Sequence, residues 1–232
     1  REKPELAAIL VRVADSHIRF GSFEFFHYTN QPKNIKRLAD FSIQNFHNDI
    51  WNEPDRYRVF FKRVLILTAK LIAKWQAVGF VHGVMNTDNM TITGTTFDYG
   101  PYGFMDSFNP RYTPNLSDTQ SRYAYQKQPE IGFWNLNKFA ETLVALAGAD
   151  QLQEEIKQYQ PIFNDFYRKE MGAKLGLSVL DSDFNQLTQE MFLLLQKHQL
   201  DYTNFFRQLA DYPHRLGKTQ FVEGFHPWLE KY

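Results

Sequence analysis

The strongest constraint in this sequence is one long amphipathic segment, residues 55–78, which is followed at once by a loop of polar residues. Mostly apolar side chains recur along it at intervals of three and four residues, the spacing that puts them on one face of a helix. They are Phe60, Phe61, Val64, Leu67, Thr68, Leu71, Trp75 and Val78. The intervening lysines and arginines fall outside this stripe, and Gly79 is suited to end a helix. The pattern predicts a helix that lies under the following loop and delivers the chain to His82.

That loop, residues 82–106, concentrates carboxylates and amides: it holds Asp88, Asp98, Asp106, Asn86 and Asn89. We predict a β-hairpin within it, with strands at 90–93 and 95–97 and Gly94 at the turn. This hairpin would place Asn89 just before one strand and Asp98 just after the next, so that the two side chains converge. An amide oxygen and a carboxylate suit Mg²⁺ that carries phosphate oxygens. The alternative is a structural loop, because Asp, Asn and Gly also serve turns for backbone reasons alone.

Composition limits the class of protein. The chain has 232 residues, of which 43% are hydrophobic, and its 22 Phe, 12 Tyr and 4 Trp predict a substantial core. Basic and acidic residues number 26 each, so the sequence shows no basic surface of the kind that binds nucleic acid. It contains no apolar run near the roughly 20 residues that span a bilayer, and the absence of cysteine excludes disulfides and thiolate metal sites. We therefore expect neither a nucleic-acid nor a membrane partner.

Further segments complete a mostly helical α+β architecture with one small hairpin at the polar loop. Helices are predicted at residues 32–50, at 136–147 after an N-cap at Asn135, from a cap at Asp150 onward with a break at Pro161, at 182–196 and at 203–210. Residues 7–13 are predicted as a strand or short helix, residues 21–26 as a turn, residues 101–114 as an ordered loop, and residues 122–128 as the possible start of a short helix closed by Pro129. We expect Arg122 to form a structural ion pair with Glu130 or Asp106, and Phe225 and Trp228 to pack onto the domain.

The polar loop can be aligned with the protein-kinase catalytic loop, H-R-D-L-x-x-x-N. His82 falls on the histidine, Asn89 on the metal-binding asparagine, and Asp98-Tyr99-Gly100 on D-F-G. Val84 takes the place of the catalytic aspartate and has no proton acceptor. An ordinary kinase mechanism would therefore lack its base at this position.

Three separated motifs extend this comparison: N-T-D-N at residues 86–89, D-Y-G-P-Y-G-F at 98–104 and R-Y-A-Y-Q-K-Q-P at 122–129. In this order they resemble the selenoprotein O (SelO, YdiU) family, kinase-like proteins that transfer AMP from ATP to protein hydroxyl groups. The resemblance implies a fold like the C-terminal lobe of protein kinases and an ATP bound in inverted orientation. It also implies Mg²⁺ or Mn²⁺ as cofactor and, as partners, ATP and proteins with Ser, Thr or Tyr hydroxyls.

The resemblance also implies roles for individual residues. Asp88 would accept a proton, and Asn89 and Asp98 would hold the metal ion, with Asp98 thereby part of the ATP site. Arg12 and Arg19, in R-V-A-D-S-H-I-R-F-G-S-F, would grip the terminal phosphate of ATP, a task suited to the planar guanidinium. The alternatives are that both arginines are surface or ion-paired residues, and that Asp88 caps the next segment or orients Asn89.

The resemblance further suggests how the chain is divided. Residues 1–30 would be the end of a small lobe and the lobe junction, and residues 31–232 a helical C-lobe. Because no glycine-rich phosphate loop precedes Arg12, we expect a fragment that is inactive by itself. The expected location is the cytoplasm in a bacterium, or mitochondria as for eukaryotic relatives. Two rival functions stay open: a non-catalytic pseudokinase binding module, and a conventional kinase with Asp88 as a displaced base.

Overall fold

The computed structural model describes residues 8–9, 11–178, 181–212 and 223–232, and this part of the chain is mostly helical. Its α-helices are α1 Phe20–Tyr28, α2 Pro32–Phe46, α3 Arg56–Val78, α4 Gln128–Ala147, α5 Ala149–Ile156, α6 Tyr159–Lys174, α7 Phe184–Lys197, α8 Tyr202–Asp211 and α9 His226–Leu229. Short 3-10 turns lie at Asn48–Ile50, Thr87–Asn89, Tyr125–Lys127 and Glu223–Phe225. Strands β1 Phe80–Val81 and β2 Gly103–Phe104 pair antiparallel, with Phe80 opposite Phe104. Within the described ranges, no helix has the length and apolar character needed to cross a bilayer.

Helix α3 is the centre of the main core. It packs against α4, α5 and α6, and its apolar stripe is mostly buried, as the sequence pattern predicts; Leu67 and Leu71 are partly buried and Val78 is exposed. Aromatic rings fill the space between α1, α3 and α4: Phe20 stacks on Phe139 with ring centroids 4.7 Å apart, and Phe23 meets the same ring edge-on at 5.1 Å. Burial of a large aromatic side chain contributes about 1.5–3 kcal/mol to stability. The first turn of α1 is therefore fixed against the body of the domain.

The C-terminal end of α3 is held by buried tyrosines from a second core. The Tyr125 hydroxyl donates to the Gln76 carbonyl at 2.7 Å, and the Tyr202 hydroxyl donates to the Ala77 carbonyl at 3.0 Å. Burial raises the pKa of both phenols well above 10, so they are protonated and can donate. These bonds give side-chain partners to carbonyls of the last turn of the helix, and Gly79 then turns the chain in left-handed backbone toward β1.

The two-stranded sheet is not where we predicted it. Residues 90–97 form no hairpin, because the backbone of Thr91 pairs with Arg19 and the Ile92 amide donates to the Ile18 carbonyl at 3.3 Å. The Thr91 hydroxyl also accepts from the Thr95 amide at 3.2 Å, which closes a turn instead of a ladder. Gly94 does lie at that turn, with a φ of +63°. The paired strands are β1, directly before the polar loop, and β2, near the end of that loop.

Several boundaries also differ from prediction. The described part of residues 8–13 is neither strand nor helix, and residues 21–26 lie within helix α1. Helix α4 begins at Gln128, so Pro129 lies in its first turn, Asn135 is a buried interior residue, and Gly148 takes the capping place expected for Asp150. Helices α2, α3, α7 and α8, the break before Pro161, and the burial of Phe225 and Trp228 agree with prediction.

Arg122 also differs from expectation. Its guanidinium carbon lies 4.9 Å from the centroid of the Trp134 ring, and among the described residues it forms no ion pair with Glu130 or Asp106. An aromatic ring therefore takes the place of the expected carboxylate as its partner.

We expect Gly94→Ala to destabilise the fold more than Gly176→Ala. Both glycines have positive φ, +63° and +72°, so each substitution costs about 1–2 kcal/mol of backbone strain. At Gly94 the new Cβ would also lie 2.7 Å from Leu67 Cβ and 2.9 Å from the Leu67 carbonyl oxygen, whereas at Gly176 the nearest atom is 4.0 Å away. Overpacking against a helix backbone adds about 1–3 kcal/mol. Urea unfolding of both variants tests this, and equal losses would contradict it.

Candidate active site

His82 joins two parts of the polar loop, near Val84 and near Phe97. Its Nε2–H donates to the Phe97 carbonyl at 2.8 Å, and its Nδ1 accepts from the Val84 amide at 3.4 Å. Burial lowers the pKa of the imidazole, which keeps it neutral. The Gln128 side chain completes the anchor: it accepts from the His82 amide at 3.0 Å and donates to the Phe80 carbonyl at 2.9 Å. The segment before Asp98 is thus fixed to the segment that leads to Asn89.

Asn89 is buried in the 3-10 turn Thr87–Asn89, and its orientation is set by one bond. Its Nδ2 donates to the Val84 carbonyl at 2.8 Å, which leaves Oδ1 available to another partner. The turn itself is closed by the Asn89 amide, which donates to the Asn86 carbonyl at 3.0 Å. From α4, Asn135 Nδ2 donates to the Met85 carbonyl at 2.8 Å. Residues 84–89 are therefore held by both their own backbone and a buried helix.

Asp98 has a left-handed backbone, with a φ of +59°, which is uncommon outside glycine. Such a conformation persists only where the surroundings impose it. They do so here, because the buried Phe97 precedes it and the Trp75 indole donates to the Thr96 hydroxyl at 3.0 Å. Arg12 Nη1 donates to Asp98 Oδ1 at 2.8 Å. The carboxylate is thus paired with one of the two arginines that the sequence singled out.

Both of these arginines lie against the ring of Phe97. The guanidinium carbon of Arg12 is 4.9 Å from the ring centroid, and that of Arg19 is 4.6 Å from it. Arg19 is held by its backbone as the residue before α1, in a bridge with Thr91. The structure therefore brings Arg12, Arg19 and Asp98 to one place. From the sequence pattern we predicted Phe97 only as part of a strand, with no role in the site.

Asp88 is the middle residue of the 3-10 turn that contains Asn89, and it is exposed and lies against Gly21 in the first turn of α1. A Cβ on Gly21 would lie 1.9 Å from Asp88 Oδ1 and 2.9 Å from its Cγ, so any other residue at position 21 would displace this carboxylate from its present position. Gly21 is a second residue that sequence analysis missed. The available signal in the sequence was a glycine two residues after Arg19, in a stretch that we predicted as a turn and that is helical in the structure.

The oxygen donors at this site fit a magnesium or manganese ion. Among the described residues no three His, Cys, Asp or Glu side chains form a metal cluster. Mg²⁺, however, is commonly bound by one or two protein oxygens together with substrate phosphates and water. Asn89 has a free Oδ1, Asp98 offers a carboxylate, and Asn86 Oδ1 in the same loop is buried without a hydrogen-bond partner. A donor set of oxygens alone suits a hard cation.

Comparison with known proteins identifies the family to which this chain belongs. The profile of one family, described as protein adenylyltransferase SelO, matches residues 1–223. The chain belongs to the SelO family. It is similar to a protein nucleotidyltransferase YdiU of Myxococcus xanthus (strain DK1622), with 43% identity over 240 aligned residues. That alignment covers 100% of this chain and 49% of the relative, so the chain spans about half of the relative's length. The family resemblance drawn from the three motifs is confirmed.

We expect stability to fall as the pH drops below 6.5, in part through His82. Burial lowers the pKa of His82 below 6.5, so the unfolded chain takes up a proton there while the folded chain does not. Burial and the charge of Arg63 act in the same direction on His47. Urea midpoints at about pH 7.5 and about pH 5.5 measure the loss. His82→Gln, which keeps an N–H donor, should reduce it, and adding His47→Gln should reduce it further. An unchanged loss in the double variant would contradict the assignment.

Proposed function

We propose that the natural protein containing this chain moves AMP from ATP to Ser, Thr or Tyr hydroxyls of proteins. The observation that carries the proposal is the grouping of Arg12, Arg19 and Asp98 at Phe97, in a chain that belongs to a family of protein adenylyltransferases. Because the chain spans about half of its relative, the activity is assigned to the whole protein.

The proposed reaction is an in-line displacement at the α-phosphorus of ATP. The substrate hydroxyl oxygen forms a bond to that phosphorus, and the bond from phosphorus to the oxygen bridging the α- and β-phosphates breaks. Pyrophosphate leaves with the electron pair, and the hydroxyl proton passes to the Asp88 carboxylate. Asp88 is suited to this task because it is exposed beside the Asn89 turn, and a base must reach the hydroxyl it deprotonates.

Asn89 and Asp98 would hold Mg²⁺ or Mn²⁺. When bound, the ion neutralises phosphate charge and orients the triphosphate. The protein contributes rigidity: His82 fixes the carbonyl that precedes Asp98, and Val84 fixes the Asn89 amide. Side chains that are already oriented lose little further entropy as the charged ligand arrives, which is the main contribution of positioning to such transfers.

Arg12 and Arg19 would bind the terminal phosphate. Arg12 is paired with Asp98 at 2.8 Å, an ion pair between partly exposed groups that contributes little to stability. Such a weak pair can exchange when a phosphate becomes available to Arg12 and a metal ion to Asp98. In this proposal Arg12 serves as a temporary counter-ion that prepares the Asp98 carboxylate.

We expect the natural full-length protein, incubated with ATP, Mg²⁺ or Mn²⁺ and a mixture of proteins, to add AMP-sized adducts to hydroxyl side chains. Asp98→Ala should lower this transfer by at least about a hundredfold, since it removes a ligand of the charge-neutralising ion. Asp106→Ala, which removes another exposed carboxylate of the same polar stretch, is the control. Mass spectrometry reads the adduct.

The same mass spectra distinguish AMP transfer from the two rival functions, a conventional kinase and a binding module. A phosphate-sized adduct would support the kinase alternative, in which Asp88 replaces the base missing at Val84. ATP binding without any adduct would support the binding module. Equal loss of transfer in Asp98→Ala and Asp106→Ala would contradict the metal role of Asp98.

We also expect Gly21→Ala to slow AMP transfer about 10- to 100-fold, because a displacement of about 1 Å at a reacting group can have that effect. The new methyl would take the place of Asp88 Oδ1 and force the carboxylate to move. Since Gly21 lies in helix α1, alanine should not lower the free energy of unfolding. Turnover and urea midpoints are measured together, with the exposed His27→Ala of the same helix as control. Full turnover in Gly21→Ala would argue against Asp88 as the base.

A further inference from the structure

We propose that Phe97 is a positioning residue, a fixed aromatic surface that holds both phosphate-binding arginines with most of their N–H groups free. This inference rests on the proposed function of Arg12 and Arg19. It starts from one observation: two guanidinium groups, seven residues apart in the chain, lie 4.9 Å and 4.6 Å from the centroid of the same ring. A cation within about 6 Å of an aromatic centroid is attracted by the negative face of the ring.

The ring is well fixed. Phe97 is 2% exposed, and the His17 ring meets it edge-on with centroids 5.3 Å apart. Its backbone carbonyl accepts from His82 Nε2 at 2.8 Å. The preceding residue, Thr96, is bound through its hydroxyl to Trp75 of helix α3. Phe97 is therefore tied to the core at both its backbone and its side chain, and its face can act as a rigid support.

The kind of contact matters for what the arginines can do next. A carboxylate partner would occupy the in-plane N–H donors of a guanidinium and neutralise its charge. An aromatic face attracts the same group through its charge and leaves those donors available. Among the described residues Arg19 has no ion pair, and Arg12 has the bond from Nη1 to Asp98. Most of the N–H groups of the two arginines thus stay open to phosphate oxygens.

Phe97 also fixes the two arginines relative to the Asp98 carboxylate. The residue that carries the ring directly precedes Asp98, so the arginines and the Asp98 carboxylate are fixed through one short piece of backbone. Without the ring, both long side chains would have to be ordered when the nucleotide binds, at a cost in rotamer entropy. Nucleotide affinity should then fall for ligands that reach the arginines and stay unchanged for those that do not.

The test compares two nucleotides on the natural full-length protein with Mg²⁺: α,β-methylene ATP, which cannot transfer AMP, and AMP, which lacks the terminal phosphates. Phe97→Leu keeps a buried apolar side chain and removes the aromatic face. We expect it to lower the affinity for α,β-methylene ATP about 3- to 10-fold in calorimetry, the range expected for contacts of this kind at partly exposed groups. The affinity for AMP should be unchanged. Phe163→Leu, the same change in helix α6, controls for general loss of packing.

The double variant Arg12→Gln, Arg19→Gln separates this inference from the proposed function. If it leaves the affinity for α,β-methylene ATP unchanged, the arginines do not bind the phosphate. The proposed role of the arginines and the role of Phe97 then both fail. If it weakens the affinity and Phe97→Leu does not, only the role of Phe97 is overturned. Equal weakening of AMP and α,β-methylene ATP by Phe97→Leu also overturns it. The role of Phe97 is supported if Phe97→Leu weakens the binding of α,β-methylene ATP but not of AMP. This effect should disappear when Phe97→Leu is added to the double variant Arg12→Gln, Arg19→Gln.

Discussion

The hydrogen bond from His82 Nε2 to the Phe97 carbonyl is the contact on which the site depends. It joins the segment after helix α3 to the segment before Asp98, 15 residues further along the chain. Both groups are buried, and a buried hydrogen bond is costly to leave unmade. The bond requires a proton on Nε2, and the hydrogen bond that Nδ1 accepts from the Val84 amide requires the neutral imidazole, which burial favours by lowering the pKa. Chain geometry, proton location and site assembly are thus determined by the same residue.

Helix α3 supplies the support beneath this contact. Its Trp75 side chain holds Thr96, its C-terminal carbonyls are bound by Tyr125 and Tyr202, and Gly79 redirects the chain into β1. On the opposite side the first turn of α1 borders the site, with Arg19 before it and Gly21 against Asp88. The site therefore lies between a long buried helix and the start of a short one, and its own residues are mostly in loops. Loops positioned by a rigid scaffold are a common place for binding residues.

Sequence patterns predicted the elements that depend on local periodicity. The apolar stripe of α3 and its glycine end gave the helix to within one residue at its start, and the motifs identified the family. The hairpin at residues 90–97 was wrong because Thr91 pairs with Arg19, which lies 72 residues earlier, and because its hydroxyl closes a local turn. Strand propensity within a short stretch of sequence reports neither the pairing with Arg19 nor the hydrogen bond of the Thr91 side chain. Phe97 and Gly21 were missed for the same reason, since their roles arise from Arg12, Arg19 and Asp88, which only tertiary structure brings to them.

The left-handed backbone of Asp98 has a consequence for how stability and use are balanced in this domain. A φ of +59° suits glycine better than an aspartate, by about 1–2 kcal/mol. The fold therefore places a carboxylate at a position whose backbone conformation favours glycine, which has no side chain. Variants selected only for resistance to heat would tend to lose the acid at this position, whereas selection for the proposed metal-binding role would keep it. If Asp98 has that role, thermostability and activity make opposite demands on this one residue.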